Sequence, residues 1–98
     1  MGCKKMKFDY LVFWAERAEF KLLDKADYIY NDSQNEKIAE NFLEVMRSAA
    51  EKLSFIASAY NDVNFHIYPL KYGHSVKFIV VDDVVIIADF YPKGSNLH

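Results

Sequence analysis

Side chains able to move protons or grip an anion gather in the last third of the sequence. These are His66, Lys71, His74 and Lys77, then Asp89, Tyr91 and Lys93 where the apolar run VVIIADFY gives way to Pro92 and Gly94. Imidazole titrates near neutrality, so His66 or His74 can act as a base, and Lys71 or Lys77 can hold a phosphate. Each has an ordinary reading beside the chemical one. Alternation sets His66 opposite Phe65 and Ile67, which favours a surface hydrogen-bonding role, and His74 sits in a turn. A tyrosine at a strand end buries its ring and wets its hydroxyl; a lysine between Pro and Gly is usually a solvated charge. Asp82, Asp83 and Asp89 lack the dense oxygen shell of a calcium site, and one cysteine with scattered histidines makes no zinc pattern. Three glycines supply no phosphate loop, so no cofactor is expected.

The elements that must position these groups follow from size and pattern. Ninety-eight residues, 52% hydrophobic and 16% aromatic, suit one domain with one core. The single cysteine, Cys3, fits a reducing compartment, and no run approaches the ~20 apolar residues of a membrane span, so a cytoplasmic protein is expected. Net charge is −2 and only Arg17 and Arg47 represent arginine, so nucleic acid could be held only by a local basic patch. The weak candidates are Lys71, Lys77, Lys93 and the histidines, with Lys4, Lys5 and Lys7 near the start.

KFDYLVFW, residues 7–14, alternates as a strand, and its second half is apolar on both faces, which predicts an interior strand. From Ala15 the period lengthens: Ala15, Ala18, Leu22, Ala26 and Ile29 form a helical stripe, with Arg17, Lys21 and Lys25 read as part of a solvated face. Ser33 with Glu36 reads as a capping box opening a second helix, whose stripe of Ile38, Phe42, Val45, Ala49, Leu53 and Ile56, widened by Leu43, Met46 and Ala50, runs to about Ala59. Val63, Phe65 and Ile67 then alternate with Asn64, His66 and Tyr68 in a strand stopped by Pro69. SVKFIVV and VVIIADFY form a hairpin around the Asp82-Asp83 turn. Trp14 and Phe20 are assigned to core or hairpin packing. The order is β-α-α-β-β-β, an α+β domain with a helical hairpin on one face of a four-stranded, mainly antiparallel sheet.

Three segments in this order, YLVFWAERAEFKLLDKADYIYNDS, AENFLEVMRSAAEKLSF and HSVKFIVVDDVVIIADFY, resemble the RelE/ParE superfamily of toxins from type II toxin-antitoxin modules. The likeness spans residues 7 to about 94, with residues 1–6 as a flexible arm of a single 98-residue domain. The Asp27-Tyr28-Ile29 helix ending is closer to the ParE and plasmid-stabilisation branch. That branch implies growth inhibition by binding a macromolecular target such as DNA gyrase; the RelE branch implies ribosome-dependent cleavage of mRNA. Both imply a cognate antitoxin that wraps an exposed groove on the hairpin and sheet, and a homodimer is a further expected partner state. RNA cleavage needs a base, an acid and phosphate-neutralising cations, a set that Tyr91, Lys93, Lys77 and His66 would have to supply together, with Tyr72 as a base-stacking surface. Relatives of the RelE branch carry a His- or Arg-rich ending where this chain has Tyr91 and Lys93, which favours binding over cleavage. A non-toxic member of the same fold is the third reading.

Overall fold

A computed structural model describes residues 10–94. The arm expected at residues 1–6 and the first residues of the predicted strand lie outside them. The described elements are β1 (Leu11–Trp14), α1 (Glu16–Ser33), α2 (Glu36–Glu51), a short α3 (Leu53–Ile56) running into a 3₁₀ turn (Ala57–Tyr60), then β2 (His66–Pro69), β3 (Ser75–Val81) and β4 (Val84–Tyr91). The strands lie in the order β1-β4-β3-β2, with β1 parallel to β4 and the other two pairings antiparallel.

The helices cover one face of this sheet. Ala18, Leu22 and Ala26 of α1, with Phe42, Met46 and Ala50 of α2, bury against Val76, Phe78, Val80, Val85 and Ile87, the inward alternates of β3 and β4. The α1 stripe is the predicted one. On α2, Phe42, Met46, Ala49 and Ala50 are buried as predicted, while Ile38 is exposed near the hairpin tip. The acidic turn closes β3 onto β4 with Val81 opposite Val84, and Asp82 adopts φ 57°, a left-handed conformation that aspartate tolerates better than most residues.

Four sequence expectations change. First, β1 is an edge strand among the described residues, pairing with β4 alone. Its apolar residues on both sides report that Leu11 and Phe13 point to the uncovered face of the sheet; they say nothing about neighbours at its edges. Second, the box of Ser33 and Glu36 does not form. Helix α1 continues through Ser33, whose hydroxyl donates to the Ile29 carbonyl at 2.7 Å. Gln34 breaks the helix at φ 58°, and Asn35 caps α2 by accepting the Lys37 and Ile38 amides at 2.9 and 3.3 Å.

Third, the alternation of β2 is inverted. Val63 takes φ 60°, Asp62 accepts the Asn64 amide, and the chain enters β2 with His66 and Tyr68 inward against Phe78 while Phe65 and Ile67 are exposed. Pro69 is the last residue of this edge strand, where a missing donor costs nothing. Fourth, Phe20 belongs to the exposed wall between the helices and not to the core. Trp14 does flank the core and carries the Arg47 guanidinium over its ring at 5.7 Å.

Candidate functional site

The end of β4 is shaped by a bulge. Lys77 pairs with Asp89 but Phe78 pairs with Ile87, leaving Ala88 as the extra residue and turning Asp89 towards α1. There its carboxylate, 10% exposed, meets Lys21 Nζ at 2.9 Å and Arg17 Nε at 3.3 Å, and accepts the Phe90 amide at 2.9 Å. Burial pushes the Asp89 carboxyl upward and is the strongest single influence. The Lys21 hydrogen bond, the Phe90 amide and the charges of Lys21 and Arg17 together outweigh it and hold the group below the usual carboxylate range. Lys21 also lies over the Tyr91 ring, 5.3 Å from its centre. The expectation that Lys21 belongs to a solvated face is therefore corrected: it is a half-buried partner of the last strand.

The second arginine is engaged as well. Arg47 donates twice to Glu19, at 3.1 and 2.8 Å, tying α2 to α1, and this hydrogen bonding is the main cause of a lowered Glu19 carboxyl. Both arginines thus pair with carboxylates of the fold, Arg47 through a doubly bonded fork and Arg17 through Nε alone with its side chain largely exposed.

His74 is buried, although its position in a turn suggested a plain loop residue. Its ring sits against Phe42 and Phe90, with centroids 5.4 and 5.7 Å away, and its Nδ1 accepts the Lys93 amide at 2.8 Å. That bond places the remaining ring proton on Nε2. Burial first, then the charges of Lys25 and Lys93, lower its pKa, so the imidazole is neutral at pH 7 and works as a bracket between the turn, the tail and α2.

The four residues considered for catalysis have different surroundings. Tyr91 lies beside Lys21, and Lys93 extends from the bracketed tail across Gly73. Lys77 is on the open face, its Nζ over Phe65 at 5.0 Å. His66 is on the helix-covered side, where its Nε2 donates to Asp62 at 2.9 Å and its ring meets Tyr60. Among the described residues, no hydrogen bond, ion pair or ring contact joins any two of them. Tyr72 is exposed in the turn at φ 59°, and Lys71 faces a shallow depression against α2, away from Lys77.

A larger concavity than the depression at Lys71 lies elsewhere. A groove of about 580 Å³ runs between α1 and α2. Phe20, Leu23, Tyr30 and Leu43 give it apolar walls; Asp24, Asp27, Glu36 and Glu40 supply a wholly acidic rim, with no lysine or arginine lining it among the described residues. Phe20, Leu23 and Tyr30 are all exposed. Sequence reasoning found the hairpin but missed this feature. The available signal was a second apolar series on α1, Phe20, Leu23 and Tyr30 at helical spacing, offset from the core stripe.

No protein-family model matches the sequence, and no curated protein matches it. In three dimensions the chain is similar to one chain of a solved structure described as "Chromosomal ParDE TA system from P. aeruginosa", with a TM-score of 0.73 and 15% identity over 88% of this chain and 98% of that one. At that identity the likeness establishes a shared fold. Among the described residues no helix is long and apolar enough to cross a membrane.

Proposed function

We propose that this protein is the toxin of a type II toxin-antitoxin module, inhibiting growth by binding a macromolecular target such as DNA gyrase, and that its antitoxin silences it from the groove between α1 and α2. The observation that carries this reading is the groove itself, on a fold shared with a chain of a ParDE system: exposed apolar walls with an acidic rim. An amphipathic helix with an apolar stripe flanked by Lys and Arg complements that surface in both shape and charge. The placement of the polar residues agrees. Arg47 and Lys21 are bound to carboxylates, the exposed Arg17 pairs with Asp89, the buried His74 accepts the Lys93 amide, and His66 and Lys77 lie on opposite sides of the sheet, an arrangement suited to recognition more than to phosphoryl chemistry.

Two reactions run on one preparation test the choice of target. The expected outcome is inhibition of gyrase supercoiling with ribosome-bound mRNA left intact. Cleavage of mRNA on ribosomes, lost in a Tyr91→Phe, Lys93→Ala variant, would replace the gyrase reading by the endonuclease one. Inactivity in both, from a folded protein that does not slow growth, would identify a non-toxic member of the fold.

A further inference from the structure

Among the described residues, nothing covers the side of the sheet opposite the helices, and that side is largely apolar. Register aligns its side chains in rows: Leu11, Val84 and Val81 nearest the acidic turn, then Phe13, Ile86 and Ile79, with Phe65 and Ile67 on the β2 side. Leu11 is 71% exposed and Phe13 59%, and Phe65, Ile67 and Val81 are exposed as well. At the 150–250 Å² that a large side chain offers, these five alone present roughly 500 Å² of apolar surface. That is at the upper end of what a monomer leaves open, about 300–600 Å². With the half-buried Ile79, Val84, Ile86 and Lys77 it approaches the ~800 Å² per partner of a stable interface.

The charges around this patch are self-complementary. Alternation puts one ionisable side chain of β3 and β4 on the face, Lys77, on one side of Ile79; the carboxylates of Asp82 and Asp83 lie at the turn beyond the other side. Ile79 and its neighbour Ile86 therefore sit near the midpoint between a positive and a negative group. A two-fold axis through that row, perpendicular to the strands, reverses the strand direction of a second copy. It stacks the Phe13, Ile86 and Ile79 rows on each other and sets Lys77 of each copy against the acidic turn of the other. Two sheets packed face to face stand about 10 Å apart, within reach of a lysine and a turn carboxylate.

We infer that this face is a homodimer interface, closed by a second copy of the chain through the Phe13–Ile86–Ile79 row and two reciprocal pairs of Lys77 with the Asp82-Asp83 turn. A nucleic acid is a poorer occupant, since among the described residues one lysine on the face neutralises little phosphate. The interface is distinct from the groove between the helices, and its test requires no toxic activity.

Sedimentation equilibrium of the purified full-length chain reads the outcome directly. The expected species at micromolar concentration has about twice the 11.4 kDa chain mass. Lys77→Glu, which sets like charges together at both ends, should weaken the dimer at least about tenfold, and adding Asp83→Lys should recover most of that loss. Circular dichroism and thermal melting of each variant check that it folds. A wild-type chain that stays monomeric up to several hundred micromolar overturns the inference. So does a dimer indifferent to both Lys77→Glu and Ile86→Lys, or one lost on Lys77→Glu and not recovered by the charge exchange.

Discussion

Replacing Lys21 by methionine tests how the last strand is held to the first helix. Methionine keeps the apolar stem and removes the ammonium that lies 2.9 Å from Asp89. The carboxylate is then left 10% exposed with the Phe90 amide and Arg17, whose side chain is 74% exposed and correspondingly screened. Breaking a fully buried pair costs about 3–5 kcal/mol. Lys21 is itself 34% exposed and one cation remains, so about half of that, roughly 1.5–2.5 kcal/mol, is expected. Asp89→Asn should cost less, about 1 kcal/mol, because the amide oxygen can still accept from Phe90 while the freed cations return to water. Urea unfolding at pH 7 of both single variants and the double variant closes the cycle. In the Asp89→Asn background, Lys21→Met should cost under about 0.5 kcal/mol, a coupling of 1–2 kcal/mol. Equal destabilisation by Lys21→Met in both backgrounds would refute the ion pair as the cause. The pH dependence has a defined sign: a carboxyl lowered by folding contributes above its unfolded value of about 3.9 and loses that contribution as pH falls through its folded value. Lys21→Met should therefore flatten the acid limb of the stability curve.

Other expectations concern the helix joint and the bracket. Asn35→Ala should destabilise by about 1 kcal/mol in urea melts, and Ser33→Ala by distinctly less, since Asn35 is the residue that caps α2. His74 is lowered by folding, so its contribution is fully present above an unfolded value of about 6.5 and declines as pH falls below it, with a slope no steeper than about 1.4 kcal/mol per pH unit. Melts between pH 5 and 8 of wild type and His74→Phe should differ in that slope, and parallel curves would contradict the buried neutral ring.

Much of the architecture is written in local periodicity. Ala18, Leu22 and Ala26 mark the buried stripe of α1, and the alternation of Val76, Phe78 and Val80 with Ser75, Lys77 and Ile79 marks both β3 and the two faces it serves. Errors arose where neighbouring residues offer equivalent chemistry or where the partner is remote. In Asn31-Asp32-Ser33-Gln34-Asn35 four residues are competent caps, and tertiary packing chose the last of them. In β2 the alternation itself is legible, but the side carrying Phe65 and Ile67 is the one the helices leave open, and alternation alone does not report which side they cover. The Asp89 clamp joins residues on the first helix and the last strand, so Lys21 has no local sign that distinguishes it from Lys25 on the same helix. The groove was hidden for a related reason: its apolar walls and acidic rim come from two helices, and neither helix alone displays the whole pattern.

The most direct test of the central reading is viability on inducing this chain with and without the product of its neighbouring gene, for wild type and for Leu23→Lys. Leu23 is exposed in the groove wall, so the substitution leaves the fold intact while placing a cation where a basic helix must dock. Wild type should arrest growth and be rescued by the neighbour; Leu23→Lys should arrest growth equally and resist rescue. Equal rescue of both proteins, or unimpeded growth with either one folded and abundant, would contradict the account.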